Sequence, residues 1–251
     1  MPNLPTHFNF ALQTLSALDD PSIEAHVGSF LLGCTTPDIR ARTKWKRAHT
    51  HFAPLEVDRV GVGTEGLFES NPHLSEMAQS SGATRAFVAG YISHLVTDET
   101  WITQVFQPYF ADRDLFPDPI KASVSDRAVQ LDMDREAWEE APGMDKVIEQ
   151  LQRSDHGVQV GFIDTETLGQ WRAWVSDFSG RPFSWDRLSF LAQRMYRDSE
   201  EAQMVVESFL SSLHTNLKGV YSRVPKKKVK EFREKAVSES TRLIKERLDV
   251  P

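Results

Sequence analysis

One segment constrains this chain more than any other. Between Ala83 and Phe106, the residues Phe87, Tyr91, His94, Asp98, Ile102 and Val105 recur at the spacing of one helix face, and Pro108 closes the pattern. A stripe of this kind must be buried against other elements. His94 and Asp98, four apart, interrupt it on the same face. An ionised carboxylate buried there costs several kcal/mol unless it meets a cation or takes a proton. Read alone, the pair is first of all a His–Asp hydrogen bond inside a core, helical i,i+4 pairs being common.

The same periodicity runs through most of the sequence. Phe8 to Leu18 predicts a first helix, stopped by Asp19, Asp20 and Pro21. Ser22 caps a second segment running to Cys34, in which Gly28 and Gly33 allow close packing. Thr35 to about Leu67 reads as a long loop, and loops of that length carry function or disorder. Further helices are expected at Ile120–Glu140, Met144–Gln152, Thr165–Val175, Trp185–Tyr196, Glu200–Tyr221 and Lys226–Leu248. VQVGFI near Val158 is the one strand candidate. Breaks at Pro117, Pro142, Gly157 and Pro182 are too short to separate domains. The expectation is one all-α, multi-helix domain over 1–251, with the metal-site motifs in about 1–140 and a basic amphipathic helix at about 226–248.

Composition bounds the partners. With 29 basic and 36 acidic residues the formal charge is −7, which argues against a broad nucleic-acid surface. A phosphate ligand therefore needs a local countercharge. The single cysteine, Cys34, forms no internal disulfide and no cysteine-based zinc site. MPNLPTHFNFALQTL lacks the basic and continuous apolar parts of a secretory signal, and no apolar run approaches bilayer length, so a soluble cytoplasmic protein is expected. The carboxyl-terminal KKKVKEFREKAVSESTRLIKERL reads as a solvated capping helix or as a peripheral membrane or partner contact.

Chemistry concentrates toward the front. TTPDIRARTKWKRAHTHF holds Asp38 behind a proline and His51 behind a threonine. Imidazole nitrogens with carboxylate oxygens suit zinc or a similar divalent ion, and Asp38, His51, His94 and Asp98 fill one coordination shell. His49 competes with His51 as ligand or supports it, and His7 begins the first helix within reach of a neighbouring site. Lys44, Lys46 and Arg47 are candidates for neutralising a substrate phosphate. In SDRAVQLDMDRE, Asp126, Gln130 and Asp134 form a polar helical stripe, either a second metal's ligands or a solvated acidic face. No phosphate-binding glycine loop or nucleophilic serine elbow is present.

Taken in order, His7, FLLGCTTPDI around Asp38, THF around His51 and GYISHLVTDE with His94 and Asp98 resemble the bacterial zinc-dependent phospholipase C family. The DRA-x-Q-x-x-x-D element resembles a cytoplasmic branch of it. The resemblance implies the helical fold shared with single-strand nucleases and hydrolysis of phosphodiesters at one to three zinc ions, other divalent ions being alternatives. It assigns Asp38, His51, His94 and Asp98 to one zinc and His7 with a bridging Asp98 to a second. Glu99 to Phe106 holds no further histidine, and the later histidine–acid pair of the family is absent. The expected function is a metal-dependent phosphodiesterase acting by metal-activated water, with Asp98 or Asp38 as general base and a phospholipid headgroup ester or nucleotide as substrate. The alternative is a noncatalytic helical binding protein that keeps a structural metal or a His/Asp core network.

Overall fold

Apolar periodicity becomes helix along most of the chain in the computed structural model, which describes residues 2–140, 144–152, 154–197 and 199–249. Helix α1 (Leu4–Leu18) starts earlier than Phe8, because Pro5 fits a first turn that has no use for its missing N–H, and it ends on Asp19 in the left-handed region at φ 52°. The expected second helix is two: α2 (Pro21–Glu24) and α3 (Val27–Gly33), separated where His26 leaves helical geometry at φ −123°, ψ 37°. Its cap is Asp20 and not Ser22; the Asp20 carboxylate accepts from the Ser22 N–H, one of the donors left unpaired at a helix start.

The segment expected as a long loop is partly helical. It contains a 3₁₀ turn at Thr36–Ile39, helix α4 (Arg40–Thr43), a second 3₁₀ turn at Arg47–His49, and the start of α5 (Val62–Ser70). Helix α6 (Leu74–Ser80) then precedes α7 (Gly82–Trp101), the helix of the His–Asp pair, which is capped by Ser81. Pro108 does not close it. The chain continues as π-helix over Ile102–Phe110 with Pro108 inside, the wider turn moving the carbonyl that the proline ring would strike.

Helices α8 (Pro119–Glu140), α9 (Met144–Leu151), α10 (Thr165–Ser179) and α11 (Arg187–Tyr196) follow. Pro142 lies outside the described residues. The helix expected over Glu200–Tyr221 breaks at Ser212 (φ −133°, ψ 43°) into α12 (Glu200–Ser211) and α13 (Leu213–Arg223). VQVGFI forms no strand; Val158, Val160 and Ile163 bury their side chains from irregular backbone that turns at Gly161, φ +77°. The last helix is α14 (Lys226–Leu248). Among the described residues every regular element is helical, so the fold is all-α.

Helix α7 lies at the centre, with nearly all of its residues buried beneath α3, α14, α6 and α1. Glycine sets the closest of these approaches. A Cβ on Gly90 would sit 1.9 Å from the Phe30 carbonyl oxygen, and one on Gly33 would sit 2.0 Å from that of Phe87, so α3 and α7 touch backbone to backbone. Helix α14 covers its own apolar stripe within the chain: Phe232, Ala236, Leu243 and Ile244 are buried, and α14 packs on α1 and α7. Its lysines Lys226, Lys227, Lys228 and Lys230 face solvent. No helix among the described residues is long and apolar enough to cross a membrane.

Candidate metal centre

Four separate segments deliver the side chains. Helix α7 presents His94 and Asp98 on successive turns of its inward face, as their spacing requires. The close α3–α7 crossing carries Cys34 to His94, whose Nδ1 lies 2.8 Å from the Cys34 carbonyl oxygen. A carbonyl only accepts, so Nδ1 holds the proton, and Nε2 is the nitrogen that offers a lone pair when the ring is neutral. The 3₁₀ turn after α3 carries Asp38. The chain then returns with His51, held by Thr50: the Thr50 hydroxyl lies 2.9 Å from His51 Nδ1, and the Thr50 carbonyl accepts from the Tyr91 hydroxyl. His7 comes from the first turns of α1, whose N-terminal end is tied to α8 because Asp134 accepts from Asn3, the Thr6 N–H and the Thr6 hydroxyl.

These side chains converge. His51 Nε2 is 3.3 Å and His94 Nε2 3.7 Å from Asp98 Oδ2, while His7 Nε2 is 3.6 Å from Asp98 Oδ1 and Asp38 Oδ1 is 3.9 Å from His51 Nε2. The His7 and His94 rings stack at 3.9 Å, and His51 meets His94 edge-on at 5.4 Å. Two groups, His7–His94–Asp98 and Asp38–His51–His94, each bring three candidate ligand atoms within 4.8 Å of one another. His94 belongs to both.

What these atoms lack is a partner. His7 Nε2, His51 Nε2, His94 Nε2 and both Asp98 oxygens are buried without a hydrogen bond. Each such group costs about 1–3 kcal/mol when left unpaired. A divalent cation satisfies nitrogen lone pairs and carboxylate oxygens together, so the donor set fits zinc.

Electrostatics act in the same direction at His7 and His51, whereas at His94 burial is outweighed by the Asp98 charge and the imidazole is raised, so a metal there displaces a proton. Burial lowers His7, and lowers His51 to about 4, which keeps both rings neutral and able to donate lone pairs at pH 7. Burial opposes the Asp98 charge, but His94 and the contacts from His51 and His7 hold its carboxyl well below the ordinary range. Arg47 adds a guanidinium 3.7 Å from Asp98 Oδ2.

Several residues singled out in the sequence fall elsewhere. His49 is exposed on its 3₁₀ turn, as are Lys44 and Lys46, and of the three basic candidates Arg47 is the one at the cluster. Asp126 and Asp134 are neither solvated nor members of either donor group. Both are buried, Asp126 accepting from the Trp101 indole and from Gln130, and Asp134 holding the start of α1. Burial pushes the Asp134 carboxyl up to about 6.

Sequence reasoning missed Glu99. Its carboxylate takes the backbone N–H groups of Gly61 (2.6 Å) and Gly63 (2.5 Å) at the start of α5, and burial raises it to about 7. An acidic residue directly following Asp98 in a buried helix was the available signal.

Residues 6–101 match the family model described as zinc dependent phospholipase C. Over this segment, somewhat over a third of the chain, it is similar to the zinc-dependent phospholipase C family. All five clustered residues lie inside the match, whereas α8 with Asp126 and Asp134 lies beyond it. No curated protein and no solved structure matches the chain. This similarity together with the His/Asp cluster supports a metal-dependent, phospholipase-like hydrolase at family level.

Proposed function

We propose that the protein is a zinc-dependent phosphodiesterase that hydrolyses a phospholipid on the glycerol side of its phosphate. One observation carries the reading: five buried, unpartnered ligand atoms from His7, His51, His94 and Asp98 face one another, with Asp38 at their edge. Asp38, His51, His94 and Asp98 would hold one ion, His94 through its single free nitrogen Nε2, and His7 with Asp98 would hold a second. Bound zinc supplies Lewis acidity to a phosphoryl oxygen and lowers the pKa of water to about 7.

The chain's own groups divide the remaining work. In the reaction a water oxygen bonds to phosphorus and the bond from phosphorus to the glycerol oxygen breaks. Asp98, encircled by three imidazoles and Arg47, is too strongly held as an anion to serve as the base. Asp38, 31% exposed and lining the adjacent cavity, is the better one; it takes the water proton and returns a proton to the departing glycerol oxygen. The Arg47 guanidinium stabilises charge developing on the phosphoryl oxygens. A phospholipid is favoured over a nucleotide by the apolar wall of that cavity, built from residues such as Trp171, Trp174 and Phe190.

The test is metal analysis of purified protein with assays on bis-p-nitrophenyl phosphate and a short-chain phospholipid. Arg47→Gln should retain zinc yet lower kcat by about 10²–10³-fold, the effect of removing one transition-state donor. Protein that binds zinc stoichiometrically and turns over neither substrate refutes the reading and leaves a noncatalytic metal-binding protein.

A further inference from the structure

A cavity of about 780 Å³ opens beside the cluster, with Asp38 in its wall. Five arginines line it: Arg40 and Arg42 from α4, Arg127 from α8, and Arg187 and Arg194 from α11. Its carboxylates are two, Asp38 and Asp134. The first belongs to the donor cluster, and the second is hydrogen-bonded by Asn3 and Thr6 and pushed up to about 6. In a chain of net charge −7 this is a local cationic excess. Arg40, Arg42 and Arg194 have no carboxylate partner among the described residues. Arg187 donates to the carbonyls of Arg181 and Pro182 over the Phe178 ring and feels the Asp134 carboxylate, so the uncompensated charge rests on Arg40, Arg42 and Arg194.

A single phosphodiester carries one negative charge, which the metal cluster and Arg47 would meet. The arginines beyond them call for further anionic groups, because guanidinium forks match phosphate and carboxylate oxygens. The cavity is also lined by large apolar side chains. Trp171, Trp174 and Phe178 stack in series along α10, and α11 adds Phe190 and Met195, exposed to 65% and 37%. Exposed large apolar side chains beside a charged cavity suit an amphiphile.

We propose, building on the phosphodiesterase reading, that this cavity is the substrate site and selects phospholipids whose headgroup bears at least one anionic group besides the scissile phosphate. The arginines take the added anion and the aromatic wall takes the apolar chain.

The probes are dihexanoyl forms of phosphatidylinositol 4-phosphate, phosphatidylinositol and phosphatidylcholine, below their micelle-forming concentrations, with bis-p-nitrophenyl phosphate alongside. Zinc-loaded protein should show a kcat/KM at least about tenfold higher for the 4-phosphate than for phosphatidylcholine, and added salt should shrink the preference. Arg42→Gln/Arg194→Gln should collapse the ratio between the 4-phosphate and phosphatidylinositol. Metal-free protein should bind the 4-phosphate, read from the fluorescence of Trp171 and Trp174, and bind it more weakly in the double variant. Equal turnover of all three lipids, or turnover of bis-p-nitrophenyl phosphate alone, overturns the selectivity and leaves the phosphodiesterase. Charge-dependent binding without any turnover supports the cavity's selectivity and refutes the phosphodiesterase. Neither binding nor turnover removes both.

Discussion

His94→Ala is the sharpest single test of the cluster, because His94 belongs to both donor groups, so its free Nε2 is lost whichever group holds the ion. Without metal, the change removes the hydrogen bond from His94 Nδ1 to the Cys34 carbonyl and the stack on His7, and it also removes one buried unpartnered nitrogen. These effects partly offset, so the metal-free variant should lose about 1–3 kcal/mol. With metal the wild type gains: zinc at a hundred times its Kd stabilises a protein by about 2.7 kcal/mol. In a chain of 251 residues that corresponds to a rise in Tm of about 5–10 °C. His94→Ala should show little of this rise at the same zinc concentration. The assay is thermal unfolding of chelator-treated protein with and without zinc, paired with metal content after desalting. A variant that keeps the full zinc-dependent shift, or a wild type that never shows one, refutes the shared-ligand reasoning.

Two further outcomes follow from neighbouring structure. Asp134 is raised from 3.8 to about 6 by burial, against its bonds from Thr6 and Asn3, so between those pH values the folded chain keeps a proton that the unfolded chain has released. Its contribution is intact below about pH 4 and is lost as pH rises to about 6; against Asp134→Asn, urea unfolding should show the wild type losing up to about 3 kcal/mol across that window, and parallel pH profiles would refute this. Gly90→Ala places a Cβ 1.9 Å from the Phe30 carbonyl oxygen, so despite the better helix propensity of alanine it should cost on the order of 3 kcal/mol in thermal unfolding, and a stabilised variant would contradict the α3–α7 contact.

The sequence by itself determined a good deal of this protein. Helical periodicity marked α1, the long α7, α8, α10, α11 and α14, and the His94–Asp98 spacing put both side chains on one face. These properties are local, since a residue's place on a helix face depends on a few neighbours along the chain. The breaks at His26 and Ser212 were not legible, because the apolar pattern is compatible with a continuous helix on either side of each.

What that helix face meets was decided only in three dimensions. Asp126 and Asp134 share a stripe by spacing, but the packing of α8 against α1 and the π-helical segment is what turned them inward, onto Trp101 and the start of α1. The capture of Glu99 by the backbone of Gly61 and Gly63 likewise needed the return of a distant segment. The same holds for the cluster itself. His7 and His51 reach Asp98 because Asp134 fixes the start of α1, and because Thr50 is held to Tyr91. Spacing sets the direction of a side chain along its own helix, whereas convergence of remote segments depends on which backbones can approach, and between α3 and α7 that approach is permitted by Gly33 and Gly90.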